Sequence, residues 1–92
     1  MTKAAYVYIL ECSDMTYYTG YTIDLEKRII SHNSKKASKY TRTRTPVKYV
    51  FTKECSSKNE AMSYENKIKR LTRKQKEKLI QNPESFDELL NN

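Results

Sequence analysis

Cysteine is scarce in this chain, long apolar runs are missing, and no seam between modules is visible. Only Cys12 and Cys55 occur, in unrelated contexts and without metal-ligand spacing, so a disulfide framework is not expected. Both read as buried thiols at strand ends. No apolar stretch approaches the length of a membrane span. Met1, Thr2 and Lys3 are not followed by the apolar segment of a signal peptide. A cytoplasmic protein with no membrane contact is therefore expected. No repeat or linker appears, and 92 residues suit one domain with a modest core. The expectation is a single domain over residues 1–92, with its core at about 4–81 and a C-terminal helix at about 83–90.

Acidic charge is also short, with 11 Asp and Glu against 18 Lys and Arg, for a net +7. Residues 1–25 carry one base and three acids, residues 26–53 nine bases and one acid, and residues 54–92 eight bases and seven acids. The segments thus hold −2, +8 and +1, and the excess lies between Lys27 and Lys53. A localised basic stripe is the footprint of a polyanionic partner. A solvated basic loop is the plainer alternative. Apolar residues at 37% and charged ones at 32% fit a globular chain.

Tyr6-Val7-Tyr8-Ile9-Leu10 is too short for a helix and suits a strand buried on both faces. The polar turn Ser13-Asp14-Met15-Thr16 should return the chain as a second strand, Tyr17 to Tyr21. Asp24 can cap a helix through about His32, with Leu25 and Ile29 as its buried pair. The basic, hydroxyl-rich stretch from Asn33 to Pro46 reads as a surface connection with a short helix near Ala37 to Thr41. Val47 to Phe51 reads as a third strand. Ser57 with Glu60, and Thr72 with Gln75, form capping boxes for helices to about Leu71 and Ile80. Asn82-Pro83-Glu84 is a further helix start. The order β-β-α-(α)-β-α-α-α predicts an α+β fold, a small and mostly antiparallel sheet covered by helices.

On a wheel of about 100° per residue, Ala61, Tyr64, Ile68 and Leu71 form one stripe, with Met62 at its other edge. Glu65 falls inside that arc. A carboxylate among apolar neighbours needs a partner: Arg28, a metal ion, or a lysine at the flank of the stripe. Arg28 and His32 stand one turn apart beside Leu25 and Ile29. Taken singly, these residues, and Tyr8 and Tyr18 on their strands, are ordinary.

Together they resemble a known family. Tyr6-Val7-Tyr8 followed by Tyr18-Thr19-Gly20 looks like the pair of motifs that names the GIY-YIG nucleases. Gly20-x-x-x-Asp24-Leu25-x-x-Arg28 and Glu60-Ala61-x-x-x-Glu65-Asn66-x-Ile68-Lys69 are similar to its later blocks. Lys39-Tyr40-Thr41-Arg42 before Pro46-Val47 resembles the stand-alone bacterial subgroup that consists of this domain alone. The first motif has Tyr6 in place of its glycine, and no counterpart is expected to the separate DNA-binding or partner-binding module of larger members.

The resemblance implies a three-stranded antiparallel sheet flanked by helices, and hydrolysis of a nucleic-acid backbone to 5′-phosphate and 3′-hydroxyl ends. It implies catalytic roles for Tyr8, Tyr18, Arg28 and Glu65, with Glu65 holding one Mg2+ or Mn2+ and His32 where some members place a histidine. Tyr21 stands where other branches carry lysine. Tyr8 would take a proton from water, Tyr18 orient the water or phosphate, and Arg28 bind non-bridging oxygens. His32 would relay a proton or contact phosphate. Lys35, Lys36, Lys39, Arg42 and Arg44 would bind the backbone with Tyr40 stacking, giving weak sequence preference and steep salt dependence. DNA is favoured over RNA by the likeness alone. Two rivals remain: a non-catalytic nucleic-acid-binding module of the same fold, and a basic adaptor for an acidic partner.

Overall fold

A computed structural model describes residues 4–90. The first and last few residues of the expected domain lie outside the described residues. Strand β1 (Ala5–Glu11) is central, pairing antiparallel with β2 (Tyr17–Thr22) on one side and β3 (Lys48–Cys55) on the other. Its aromatic and β-branched run is buried on both faces, as expected: Val7 and Ile9 point to one core, Tyr8 and Leu10 to the other.

Helix α1 (Leu25–Asn33) covers the second face, where Leu25 and Ile29 pack with Tyr8, Leu10, Cys12 and Val47. Helices α3 (Lys58–Lys69), α4 (Arg73–Gln81) and α5 (Phe86–Leu90) cover the first, bringing Ala61, Ile68, Leu79 and Phe86 against Val7, Ile9 and Phe51. Ile9, Leu10, Ile68 and Leu79 are fully buried, and each contributes about 1.5–3 kcal/mol by leaving water. A short helix, α2 (Lys39–Arg42), lies in the connection to β3, and a 3-10 turn (Pro83–Ser85) precedes α5. Among the described residues no helix is long and apolar enough to cross a membrane.

The caps explain most of the boundaries. Asp24 accepts the Lys27 amide at 3.0 Å, and Thr72 with Gln75 closes a full capping box. Only half of the expected box at Ser57 forms. Ser57 accepts the Glu60 amide, but the Glu60 carboxylate takes the Ser56 amide instead of that of Ser57. Helix α3 stops at Lys69, short of Leu71, because the Arg70 and Leu71 amides tighten onto the Lys67 and Ile68 carbonyls before Thr72 restarts the chain.

The end of α1 is less comfortable. The Lys35 amide bonds the His32 carbonyl and the Lys36 amide that of Ser31, a Schellman closure with Lys35 at φ 66°. Glycine usually fills that position, since a side chain there costs about 1–2 kcal/mol. Lys35→Gly should therefore raise stability by about 1 kcal/mol, measured as a higher urea midpoint at unchanged slope. A lower midpoint would contradict this reading of the helix end.

Between Ile9 and Leu10 the β1–β3 register slips, so Tyr49 and not Val50 stands opposite Leu10. Side chains alternate along a strand, and the extra residue moves Tyr49 onto the Tyr8 face. There its ring meets that of Tyr8 edge-on at 5.2 Å, and its hydroxyl donates to the Leu25 carbonyl at 2.8 Å.

Candidate active site

The β1–β2 register places Tyr8 opposite Gly20 and Leu10 opposite Tyr18. The Tyr8 phenol lies directly over Gly20. A Cβ there would stand 2.6 Å from the Tyr8 hydroxyl and 2.8 Å from the ring carbon that bears it. Gly20 does not have a positive φ, so this glycine is needed for space, not for backbone freedom.

The phenol lines an open cleft of about 460 Å3 at the β2 edge of the sheet, with walls that include Tyr18, Tyr21, Arg28, Lys58 and Glu65. Arg28 comes from α1 on one face and Glu65 from α3 on the other, which packs against β1 and β2. The Glu65 carboxyl side chain is 17% exposed and lies 3.9 Å from the Lys69 ammonium one turn on. So long a contact to an exposed lysine contributes at most about 0.5 kcal/mol. No ion pair joins Glu65 to Arg28 among the described residues; the lysine alternative is the one present.

Behind the cleft runs a buried chain of hydrogen bonds. The Thr41 hydroxyl donates to the Ser38 carbonyl at 3.4 Å, so it accepts from the protonated Nδ1 of His32 at 2.9 Å. That tautomer leaves His32 Nε2 as the acceptor for the Tyr8 hydroxyl, also at 2.9 Å. Burial pushes the Tyr8 phenol well above its usual range, opposed chiefly by the Arg28 guanidinium. Burial, with Arg28 adding to it, lowers the His32 pKa to about 4. His32 is therefore neutral at physiological pH, with the Nε2 lone pair free to accept the Tyr8 hydrogen bond.

A histidine held neutral in the fold and titrating near 6.5 when unfolded makes stability depend on pH. Between those values the unfolded chain binds more protons, so stability falls as pH drops from about 6.5 to about 4 and does not change through this group above 7. The loss is roughly 3 kcal/mol across the window. Urea midpoints at pH 7.5 and 4.5 test this: the His32→Gln protein should lack most of the drop. An equal drop in both proteins would assign it to other groups.

Of the residues singled out from sequence, Tyr8, Tyr18, Arg28 and Glu65 line the cleft. His32 does not. It is 1% exposed and stands behind Tyr8, to which it is hydrogen-bonded. Lys35, Lys36, Lys39, Tyr40, Arg42 and Arg44 do not line the cleft either. The Tyr40 ring is already stacked on Tyr18 at 5.8 Å and met by the Arg44 guanidinium at 4.0 Å. Arg44 is in turn bound to the Asp14 carboxylate and the Tyr40 carbonyl. Those two side chains brace the hairpin tip and α2 against Tyr18, instead of standing free for a base.

Two contributors were missed. Lys58 lies two turns before Glu65, and that spacing alone puts it on the same face of α3. Thr41, fully buried, orients His32; it belongs to the Lys39-Tyr40-Thr41-Arg42 motif, which stands out in the sequence without assigning Thr41 a role. Among the described residues no group of three or more His, Cys, Asp or Glu could hold a metal. The donor set fits a hard divalent ion on the single Glu65 carboxylate, completed by water and substrate oxygens, and does not fit a closed zinc site.

This cleft brings together phenols, a guanidinium and one acid, which is chemistry suited to a phosphodiester. Comparison with known proteins shows the family. The GIY-YIG catalytic domain model matches residues 4–78. A UPF0213 protein of Streptococcus pneumoniae is 50% identical over 80 residues, covering 87% of this chain and 81% of the relative. One from Halobacterium salinarum is 54% identical over 75 residues, covering 82% and 97%. The solution NMR structure of a UPF0213 protein from Bacillus halodurans superposes with a TM-score of 0.56 at 46% identity, covering 90% of this chain and 92% of that one. That of the E. faecalis protein EF2693 gives 0.61 at 39%, covering 90% and 88%. With its three-stranded antiparallel sheet and this match across most of its length, the chain belongs to the GIY-YIG family, alongside the UPF0213 proteins.

Proposed function

We propose that this protein is a divalent-metal-dependent endonuclease that hydrolyses phosphodiester bonds in DNA. The observation that supports it is the meeting of Tyr8, Tyr18, Arg28 and Glu65, from four separate elements, on one polar cleft. Two buried thiols, whose pKa values burial raises, are compatible with a reducing cytoplasm.

Arg28 binds the non-bridging oxygens of the scissile phosphate, a task its planar fork suits better than an ammonium would. Tyr18 donates its hydroxyl to the phosphate or to the attacking water. Tyr8 removes the water's proton. A phenol with so high a pKa is protonated at neutral pH, so it acts as a base only as its own proton moves toward His32 Nε2 along their hydrogen bond. His32, whose pKa burial and Arg28 lower to about 4, holds that proton only in passing, with its Nδ1–H kept on Thr41. Glu65 would hold the Mg2+ or Mn2+ ion, which when bound would supply charge neutralisation at the departing 3′-oxygen.

Incubation with supercoiled plasmid, branched and single-stranded DNA, with Mg2+ and with EDTA, tests the proposal. Nicked or shortened products bearing 5′-phosphates are expected with metal and none with EDTA. Tyr8→Phe should cut about a hundred to ten thousand times more slowly, the usual weight of general-base catalysis. Binding that EDTA does not affect, with no cutting under any condition, would instead describe a passive nucleic-acid-binding module.

A further inference from the structure

A second open cavity, of about 580 Å3, adjoins the catalytic cleft and shares Thr22, Ile23 and Arg28 with it. Lys27 and Ser31, on the face of α1 that also carries Arg28, line its far side together with Asp24. Asp24 is the one acid there, and its carboxylate is turned to the Lys27 amide as the helix cap. Lys27, Arg28 and Lys58 have no ion-pair partner among the described residues, whereas Arg44 and Lys48, away from both cavities, are paired. Unneutralised cations thus follow one another along a continuous trough. Between the two cavities stands Ile23, 56% exposed, an apolar side chain at the lip of an otherwise polar surface.

We propose that this trough is a second nucleotide subsite, in which Lys27 and Ser31 hold the phosphate next to the scissile one and Ile23 packs against the sugar or base between them. The inference rests on the nuclease reading of the adjoining cleft. It sends the bound strand across the outer side of α1, past Lys27, and not along the segment from Lys35 to Arg44. Phosphate contacts from Lys27 and Arg28 fix register without reading sequence. An apolar side chain such as Ile23 grips a nucleotide best when the base is unstacked or the step can be opened, so strands with unpaired nucleotides beside the cut are the favoured substrates.

Fluorescence anisotropy with a labelled single-stranded oligonucleotide, in EDTA and over a range of salt, separates the contributions. Lys27→Ala should weaken binding about tenfold and lower the salt slope by about one. Lys48→Ala removes the same charge from β3 and should stay within about twofold. Ile23→Ser should weaken binding several-fold with the slope unchanged, since no counterion is released by an apolar contact. Equal effects of Lys27→Ala and Lys48→Ala, or a silent Ile23→Ser, would overturn the subsite while leaving the nuclease reading standing. Failure of the wild-type protein to bind any nucleic acid would overturn both.

Discussion

Glu65→Ala protein should fold, bind DNA and yet cut it about a thousandfold more slowly or worse, because several kcal/mol of charge stabilisation are lost at tenfold per 1.36 kcal/mol. The fold should survive because the carboxylate's one ion pair among the described residues, to Lys69 at 3.9 Å, is long and its lysine exposed. Binding measured in EDTA should be unchanged or slightly tighter, since removing an acid from the cleft lessens its repulsion of phosphate. This split between binding and cutting separates a metal ligand from a structural residue, which would lower both. Single-turnover cleavage alongside anisotropy gives the answer. Substantial cleavage by the alanine protein would remove Glu65 from the chemistry.

Gly20→Ala should be nearly as damaging to the rate, although alanine is the smallest possible change. Its methyl group would sit 2.6 Å from the Tyr8 hydroxyl. A long surface side chain would swing aside, but this phenol is 2% exposed, packed edge-on against Tyr49 and bonded to His32. It has little room to move. Overpacking of this kind costs about 1–3 kcal/mol of stability. A misplacement of about 1 Å at a reacting group costs about a hundredfold in rate. Nucleic-acid binding, measured without metal, should not change. The nearby ring of Tyr18, 3.3 Å from the same point, would be disturbed as well. Wild-type cleavage by the alanine protein would mean that the position of the Tyr8 phenol does not matter to the reaction.

Much of this was legible in the sequence because it depends on local periodicity. Short aromatic and β-branched runs, with the polar turn between the first two, marked the strands, and Asp24, Ser57 and Thr72 marked three helix starts within a residue of where they lie. Glu65 stood out as a charge within an apolar stripe, and it does line the cleft. The features that escaped depend on register and on contacts between distant segments. The slip that turns Tyr49 toward Tyr8 is a single extra residue in β3, with no glycine or proline to announce it. His32 and Arg28, one turn apart on α1, looked alike on a wheel. One is buried under α2 by Thr41 and the other faces the cleft, because α2 folds back onto only one of them. Two side chains of the basic segment escaped for a related reason. Its composition is that of a solvent-facing binding loop, yet Tyr40 and Arg44 are committed to Tyr18 and Asp14. Cations nearer the chemistry, Lys27 and Lys58, were less conspicuous because they sit among acids and apolar residues on regular helices.

The most direct test of the central claim is to locate a divalent ion on the protein while DNA is bound. With 15N-labelled Tyr8→Phe protein, which should bind but barely cut, Mn2+ added in small amounts should broaden first the amide signals of Glu65 and its helical neighbours, then those of Gly20 and Arg28 across the cleft. The same titration of the Tyr8→Phe/Glu65→Ala protein should leave those signals sharp. Broadening centred on another part of the molecule, or undiminished in the double variant, would contradict an active site built around Glu65.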